Sequence, residues 1–267
     1  MIAEQKLNGL QTDPQIKNVF SLEGKLALIT GGGSGIGFDI ARCMIMAGAK
    51  VIITGRREHA LKESIELLGK SAQYVVNDVT ELSSLEDLVE YIESHIGPID
   101  ILVNNAGINM KKPALEVSDE DFQRIVHTNL NAVFALTRSC ARRMIQRQSG
   151  CILMISSMAA YYGIDRVVAY AASKSGVEGM VKVLASEFSK FNVRVNAIAP
   201  GFIETAMMQT AMSSDPDRMN KALNRTPMGK FGKPDDIGWA AVFLASEAAR
   251  YITGASLPVD GGNSVGF

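Results

Sequence analysis

Two side chains with acid–base chemistry, Tyr170 and Lys174, stand four positions apart in the chain. In a helix this spacing places them on one face, one turn apart. An ammonium group beside a phenol stabilises the phenolate, because opposite charges attract. We therefore expect Lys174 to lower the pKa of Tyr170 from about 10 toward the range in which a tyrosine exchanges a proton near neutrality. Many helices carry the same pair without a catalytic role, so the interpretation depends on the rest of the chain.

A glycine-rich stretch near the start of the chain indicates a nucleotide-binding site. The largely apolar run 25–30 has the length of a strand, Gly31-Gly-Gly-Ser-Gly-Ile-Gly37 follows it, and residues 38–47 have helical apolar spacing. Glycines let a pyrophosphate approach the backbone closely, and the first turn of a helix offers it unpaired N–H groups. A flexible loop is the alternative, but the order of strand, turn and helix favours a dinucleotide. The expected contacts are Gly31, Ser34, Gly35, Ile36 and Gly37.

The end of the second predicted strand, 51–54, bears on the choice of cofactor. An NAD site usually offers a carboxylate to the ribose at this point, whereas an NADP site offers an arginine to the 2′-phosphate. The chain has no acid at Thr54 or Gly55, and Arg56 and Arg57 follow at once. A guanidinium suits a phosphate dianion. The two arginines could instead be solvated charges at the start of a helix, but the missing acid also favours NADP.

Strands and helices alternate along the rest of the chain, as in an α/β protein. Further strands are predicted at 72–76, 99–103, 151–155, 193–198 and 255–259. One long helix is predicted from its N-cap, Ser118, to about Arg147, and it contains Asn129. Because parallel strands end at the edge of the sheet where ligands bind, the polar residues that follow the strands are candidate site residues.

The composition limits the classes of protein that remain. The chain has 267 residues, 47% of them hydrophobic, which suits one large domain without any membrane-spanning run. A formal net charge of −1 gives no reason to expect nucleic acid or a membrane as a partner. The three cysteines form no close pair, so we expect buried thiols in a cytoplasmic protein and no metal site. We assign residues 1–20 to an extension that lacks the features of a secretory signal, and 21–267 to the domain.

Six motifs, in order, resemble those of the short-chain dehydrogenase/reductase family. They are residues 30–37, Asn104-Asn-Ala-Gly107, Asn129, Ser157, Tyr170-x-x-x-Lys174 and Pro200-Gly201. Each is weak alone, but together they cover about residues 22–263. The resemblance implies a single Rossmann-type domain, a doubly wound seven-stranded parallel sheet of order 3-2-1-4-5-6-7. It also implies an enzyme that exchanges a hydride between a nicotinamide and an alcohol or ketone carbon.

The same resemblance implies a role for each catalytic residue. Ser157 holds the substrate oxygen, and family spacing favours it over its neighbour Ser156. Tyr170 gives or takes the hydroxyl proton. Lys174 lowers the pKa of Tyr170 and holds the nicotinamide ribose. Asn129 pins a water molecule that links Lys174 to solvent.

The resemblance extends the cofactor site beyond the glycine loop. Asp78 could bond the adenine amino group or help to cap the helix that follows it. Ser34 stands where many NADP-using relatives carry Arg or Lys, so NAD is a possible second cofactor. The further expected contacts are Arg56, Arg57, Asp78, Val79, Asn105, Ala106, Gly107, Tyr170, Lys174, Pro200, Gly201, Ile203 and Thr205.

Four segments, 19–25, 97–100, 225–227 and 259–262, resemble the gluconate 5-dehydrogenase members of the family, which interconvert gluconate and 5-ketogluconate. The loop after Gly107 tends to be basic in those enzymes. Here it carries lysines that could hold a sugar-acid carboxylate or face water. The expected substrate contacts are Ser157, Met158 and Lys111, and residues 204–225 form a predicted lid.

Two other functions stay open. A 3-oxoacyl-carrier-protein reductase has the same catalytic motifs. A non-catalytic NADP-binding regulator has no need of Tyr170, and so is disfavoured. The helices that carry Asn129 and Tyr170 have broad apolar faces, which family members usually pair in a homotetramer.

Overall fold

The computed structural model describes residues 19–206, 208 and 216–266 of the chain. Short runs of Val, Ile, Leu and Ala form the strands, and the central strands are buried on both faces, as parallel strands are. The strands are β1 (Leu26–Thr30), β2 (Lys50–Gly55), β3 (Ala72–Val76), β4 (Ile101–Asn104), β5 (Gly150–Ile155), β6 (Val193–Pro200) and β7 (Ser256–Val259). The helices are α1 (Gly35–Met46), α2 (Glu58–Leu68), α3 (Ser84–His95), α4 (Asp119–Val126), α5 (Ala132–Arg147), α6 (Val168–Phe188), α7 (Pro216–Arg225) and α8 (Pro234–Ala245).

The strands form one parallel sheet in the order β3-β2-β1-β4-β5-β6-β7. The chain runs outward from β1 to β3, crosses back beside β1, and continues from β4 to β7. The strand order therefore reverses between β1 and β4, which are direct neighbours. Ligands bind in such folds at this switch point, outside the carboxyl ends of the strands. The predicted doubly wound fold and strand order are confirmed.

Alternate residues of each strand face two separate hydrophobic cores. On one side of the sheet Ala27 and Ile29 pack with α1, α2 and α8. On the other side Leu26 and Leu28 pack with α3, α5 and α6. The cysteines are free and buried in these cores, as expected. The two cores make the sheet a rigid base for the loops at its carboxyl edge.

The long helix predicted to begin at Ser118 is interrupted. Ser118 does cap α4, because its hydroxyl accepts a hydrogen bond from the N–H of Asp121 at 3.2 Å. Between α4 and α5, however, His127–Asn131 forms a π-helical turn. Such turns hold one residue more than an α-helical turn and often occur at functional sites. This turn contains Asn129.

Most other predicted elements agree with the structure within about three residues. The helix after β3 begins at Ser84, so the alternative in which Asp78 caps it is wrong. The predicted extension, residues 1–20, lies outside the described residues except for 19 and 20, and residues 207 and 209–215 of the predicted lid lie outside them too. Among the described residues, none of the helices has both the length and the apolar character needed to cross a membrane.

Candidate active site

The hydroxyl of Thr30 holds the two sides of the switch point together. It accepts hydrogen bonds from the N–H groups of Asn105 and Ala106, at 3.0 Å each, and donates to the carbonyl of Val103 at 3.4 Å. The side-chain amide of Asn105 donates to the carbonyls of Thr30, at 2.9 Å, and Gly31, at 3.3 Å. This amide group therefore supports the glycine loop from within the protein.

The glycine loop packs against β2 and β4. The N–H of Gly31 donates to the carbonyl of Thr54, at the end of β2, at 2.8 Å. Gly37 has no room for a side chain, since a Cβ would lie 2.5 Å from both Nδ2 of Asn105 and the carbonyl oxygen of Gly31. The loop is thus held close to the sheet, and only glycine fits where it turns into α1.

The first turn of α1 faces the segment that follows β6. Ser34 is the N-cap and is exposed, while Gly35, Ile36 and Gly37 form the first turn. The first N–H groups of a helix have no partner within the helix. A Cβ on Gly35 would lie 3.6 Å from Cγ2 of Thr205. Thr205 therefore lies beside the first turn of α1, whose unpaired N–H groups are of the kind that bind an anion.

Arg56 and Asp78 meet at the carboxyl ends of β2 and β3. Nη1 of Arg56 lies 3.9 Å from Oδ2 of Asp78, and the Arg56 side chain is 68% exposed. Asp78 also accepts hydrogen bonds from the N–H and the hydroxyl of Thr80, at 3.0 and 2.8 Å. Burial opposes ionisation of Asp78, but the bonds from Thr80 and the charge of Arg56 hold its pKa below the usual value. Arg57 is exposed and Val79 is partly buried beside this pair.

The opposite end of the expected cofactor site is formed after β6. This strand ends at Pro200, and the N–H of Gly201 donates to the carbonyl of Val259, the last residue of β7, at 3.0 Å. Ile203 is buried and pairs with Gly232 in an isolated parallel bridge. The start of the predicted lid is therefore tied to the sheet.

Tyr170, Lys174 and Ser157 lie together at the carboxyl end of β5. Both Tyr170 and Lys174 are on α6, with Nζ of the lysine 5.6 Å from the centre of the tyrosine ring. The side chain of Ser157 is near enough to the hydroxyl of Tyr170 to lower its pKa. Lys174 is 5% exposed, and its Nζ donates to the carbonyl of Ile155 at 2.6 Å. The structure thus brings three of the predicted catalytic side chains together.

The predicted lowering of the Tyr170 pKa by Lys174 is wrong for this structure. Burial raises the pKa of Tyr170, and the nearby side chain of Ser157 offsets this only in part. The ammonium group of Lys174 donates to the carbonyl of Ile155 and lies 5.6 Å from the centre of the Tyr170 ring. Burial also lowers the pKa of Lys174, from 10.5 to about 8. At pH 7 the hydroxyl of Tyr170 is therefore protonated and available as a donor.

Asn129 is fully buried in the π-helical turn and bonds the backbone of Ile108 in both directions. Its Oδ1 accepts from the N–H of Ile108, and its Nδ2 donates to the carbonyl, both at 2.8 Å. Nδ2 also lies 3.2 Å from Oγ of Ser173. A Cβ on Gly107 would lie 3.2 Å from Oδ1 of Asn129 and 3.8 Å from Nζ of Lys174. Asn129 thus fixes the loop after β4 against the lysine, while its contact with a water molecule stays a prediction.

The expected substrate contacts have different surroundings. The side chain of Met158 is buried, so a contact with substrate would depend on its backbone. Lys111 is partly buried in the loop after β4. The N–H of its neighbour Lys112 donates to the carbonyl of Arg166 at 2.8 Å, and Nζ of Lys112 pairs with Asp121 at 3.1 Å. The basic loop is therefore anchored beside the segment that leads to Tyr170.

Three contributors to the site are not singled out by the sequence analysis. They are Ser173, the carbonyl of Ile155, and His127. Nε2 of His127 lies 2.9 Å from the carbonyl of Thr80, which can only accept, so this nitrogen carries the hydrogen. The bond joins the π-helical turn to the turn that holds Asp78. No sequence pattern predicts it, because the two residues are 47 positions apart.

Comparison with known proteins identifies the family. A family model described as enoyl-(acyl carrier protein) reductase matches residues 31–264. A 3-oxoacyl-[acyl-carrier-protein] reductase from Thermotoga maritima is 40% identical over 246 residues, which are 90% of this chain and 98% of the relative. The chain belongs to the short-chain dehydrogenase/reductase family and is an oxidoreductase.

Two further relatives resemble the chain over most of its length. A 2-dehydro-3-deoxy-D-gluconate 5-dehydrogenase from Dickeya dadantii is 39% identical over 251 residues, covering 92% of this chain and 98% of the relative. The crystal structure of a gluconate 5-dehydrogenase from Burkholderia cenocepacia, in complex with NADP and tartrate, has a TM-score of 0.89 at 34% identity. That match covers 94% of this chain and 99% of the other. The predicted resemblance to gluconate 5-dehydrogenase-like members is confirmed.

Proposed function

We propose that the protein is an NADP-preferring dehydrogenase that transfers a hydride between the nicotinamide and a secondary alcohol or ketone carbon of a sugar acid, such as gluconate and 5-ketogluconate. The observation that carries this proposal is the placement of Ser157, Tyr170 and the buried Lys174 together at the carboxyl end of β5. A serine and a tyrosine so placed can hold one substrate oxygen and exchange its proton. The same edge of the sheet carries the dinucleotide crevice.

The residues of the crevice fit a nicotinamide dinucleotide. The first turn of α1 would hold the pyrophosphate, since its N–H groups are unpaired and Gly37 allows close approach. Arg56 would meet the 2′-phosphate, and Lys174 the nicotinamide ribose. When bound, the cofactor supplies or accepts the hydride.

The protein's own residues handle the proton. In the direction of reduction Tyr170 donates its hydroxyl proton to the substrate oxygen, and in the direction of oxidation it accepts that proton. Ser157 orients the oxygen during the transfer. The ammonium group of Lys174, 5.6 Å from the ring, stabilises the negative charge that develops on the phenol. In this mechanism Lys174 acts on the transition state more than on the resting pKa of Tyr170.

The basic loop supports a sugar acid as the substrate. The hydrogen bond from Lys112 to the carbonyl of Arg166 holds Lys111 near the segment that leads to Tyr170. A lysine there can attract the carboxylate of a substrate as a point charge. The names of the Dickeya and Burkholderia relatives, both gluconate-type dehydrogenases, support the same class of substrate.

A 3-oxoacyl-carrier-protein reductase is the second candidate, supported by the identity with the Thermotoga enzyme. It needs the same proton chemistry, so only the substrate separates the two. A non-catalytic NADP-binding regulator is disfavoured, because it has no use for the pair Ser157 and Tyr170.

A substrate screen separates these functions. Purified protein is assayed with NADP(H) and NAD(H) against sugar acids and their ketones, neutral sugars, and acyl thioesters. We expect the highest kcat/KM with a sugar acid. A higher value with a 3-oxoacyl thioester would select the second candidate, and tight NADPH binding without turnover would select the regulator.

Cofactor choice is predicted to depend on Arg56. A charge-assisted hydrogen bond to the 2′-phosphate is worth roughly 1.5–3 kcal/mol, so we expect kcat/KM to favour NADP by about ten- to a hundredfold. The variant Arg56→Asp should reverse the preference, because its carboxylate repels the phosphate and suits the ribose hydroxyls. Lys50→Asp, at the opposite end of β2, is the matched control and should leave the ratio unchanged. A parent enzyme that prefers NAD would contradict the assignment.

We also propose that the protein is a cytoplasmic homotetramer built through α5 and α6. These helices expose Phe134 (41%) and Val183 (56%), and a cavity of about 430 Å³ lies between them. Light scattering at micromolar concentration should give a tetramer for the parent chain. Phe134→Glu should yield smaller species, because it places a charge in the apolar contact. Leu67→Glu, an exposed site on α2, is the control and should stay tetrameric.

A further inference from the structure

The C-terminal residues 260–266, here called the tail loop, are folded tightly onto themselves. Oδ1 of Asp260 accepts from the N–H of Gly262 at 2.9 Å, and Oδ2 accepts from the N–H of Ser264 at 2.6 Å. The N–H groups of Val265 and Gly266 both donate to the carbonyl of Gly262, at 3.1 and 2.9 Å. The tail loop is therefore a defined turn with its own hydrogen bonds.

The tail loop packs against the end of α7 with no space between them. A Cβ on Gly266 would collide with the carbonyl oxygen of Arg225, so only glycine fits at this position. The N–H of Met228 donates to the carbonyl of Gly261 at 3.1 Å. The tail loop and the end of the predicted lid thus form one packed unit.

Three side chains, here called the tail clamp, join this unit to the catalytic loop. The clamp consists of Tyr162, Arg225 and Asn263. The hydroxyl of Tyr162 donates to Oδ1 of Asn263, which is completely buried. The guanidinium carbon of Arg225 lies 3.9 Å from the centre of the Tyr162 ring, and its Nε donates to the carbonyl of Asn263 at 3.1 Å. Nδ2 of Asn263 donates to the hydroxyl of Thr226 at 2.9 Å.

The chemistry of each clamp member suits a fixed joint. Burial raises the pKa of Tyr162, although the charge of Arg225 opposes this, so the hydroxyl keeps the proton that it donates to Asn263. A guanidinium stacked on an aromatic ring combines a cation–π contact with directed N–H bonds. Tyr162 contacts the side chains of Arg225 and Asn263, and Arg225 bonds the backbone of Asn263, so the loss of Tyr162 removes two of the three contacts.

The clamp connects the loop that follows Ser157 to the end of α7. Tyr162 lies between Ser157 and Tyr170, and its N–H donates to the carbonyl of Met158 at 3.2 Å, directly after the catalytic serine. Arg225 is the last residue of α7, at the end of the predicted lid. The start of the lid is held separately, by the bridge between Ile203 and Gly232. Both described ends of the segment 204–225 are therefore held by contacts with other parts of the chain.

We propose that Tyr162, Arg225 and Asn263 are positioning residues that lock the tail loop and the end of α7 to the loop carrying Ser157, and so hold that loop in place for the substrate. The effect on catalysis rests on the proposed function. Among the described residues, the clamp contacts involve neither the glycine loop nor Arg56, where the pyrophosphate and the 2′-phosphate would bind. Loss of the clamp should therefore raise the KM for the substrate and leave NADPH affinity unchanged.

The variant Tyr162→Phe tests the clamp with the least disturbance, since it removes one hydroxyl and keeps the ring under Arg225. The loss of one buried hydrogen bond corresponds to about a two- to tenfold effect, which we expect on the KM and on the rate of limited proteolysis within 204–225. Arg225→Leu should give a larger effect on both. The matched control is Tyr161→Phe, an exposed neighbour whose hydroxyl lies 3.5 Å from the carbonyl of Ser256.

The two readouts distinguish a failure of the clamp proposal from a failure of the proposed function. Proteolysis, followed by mass spectrometry, needs no substrate, so faster cleavage with no sugar-acid turnover would support the clamp and remove the proposed function. Arg225→Lys keeps the charge but lacks the Nε donor and the planar stack, so it should remain impaired while folding normally. Unchanged proteolysis in both Tyr162→Phe and Arg225→Leu would overturn the proposal. A fall in kcat and NADPH affinity at constant KM would do the same.

Discussion

Replacing Tyr170 with phenylalanine is expected to lower kcat by about 10²- to 10⁴-fold, the contribution typical of a positioned proton donor. The change removes a single oxygen and keeps the ring, so the packing of α6 is preserved. The affinity for NADPH should therefore stay within about twofold of the parent value, because the variant removes the group that transfers the proton and leaves the cofactor contacts in place. Fluorescence titration with NADPH and a steady-state assay, both on one preparation, measure the two quantities.

Tyr161→Phe is the matched control for this experiment. Tyr161 lies in the loop before α6, its side chain is exposed, and its hydroxyl lies 3.5 Å from the carbonyl of Ser256. Turnover of the control should equal that of the parent. If Tyr170→Phe retained turnover close to the control, Tyr170 could not be the acid and base of the reaction.

Replacing Lys174 with methionine is expected to have two opposite effects. Activity and cofactor affinity should fall, because the ammonium group both stabilises the phenolate and would hold the ribose. Stability should rise at pH 7, since burial lowers the pKa of Lys174 from 10.5 to about 8 and so opposes its charged form. The shift corresponds to about 3 kcal/mol, from which about 1.5–3 kcal/mol is subtracted for the lost charge-assisted hydrogen bond to Ile155, so the gain at pH 7 should not exceed about 1.5 kcal/mol.

The sign of this effect depends on pH. Below pH 8 the lysine is protonated in both folded and unfolded chains, so the folded parent carries the whole cost of burial. Between about 8 and 10.5 the folded chain releases the proton while the unfolded chain keeps it, so the parent becomes more stable as the pH rises. Urea unfolding of both cofactor-free proteins at pH 7 and pH 9 should show the advantage of Lys174→Met shrinking. An equal difference at both pH values would contradict the assigned burial cost.

The sequence predicts the sheet better than the helices around the site. Each strand is a short apolar run, and such runs leave little choice once they must be buried on both faces. The π-helical turn at His127–Asn131 has no such signal. It forms where Asn129 bonds the backbone of Ile108, 21 residues away, and a helical pattern in the sequence contains no trace of that partner.

The positions of the candidate site residues also follow from the sequence, but their electrostatics do not. Spacing places Tyr170 and Lys174 on one face of α6, as observed. Whether the lysine faces the phenol or a carbonyl depends on the end of β5, where Ile155 offers an acceptor at 2.6 Å. Burial then decides the direction of both pKa shifts. Such facts belong to the packed structure and cannot be read from spacing.

The bonds made by the hydroxyl of Thr30 have a consequence for the order of folding. They join β1 to residues 73 to 76 positions further along the chain. The turn from β1 into α1 is local in sequence and can form early. Residues 105 and 106, which pack against this turn, reach their positions only when β4 pairs with β1. Contacts of such high sequence separation form slowly, because the intervening chain must first be ordered. A nascent chain that has not yet extended past Ala106 therefore contains only one side of the expected cofactor site. We expect it to bind the cofactor only after β4 has paired with β1.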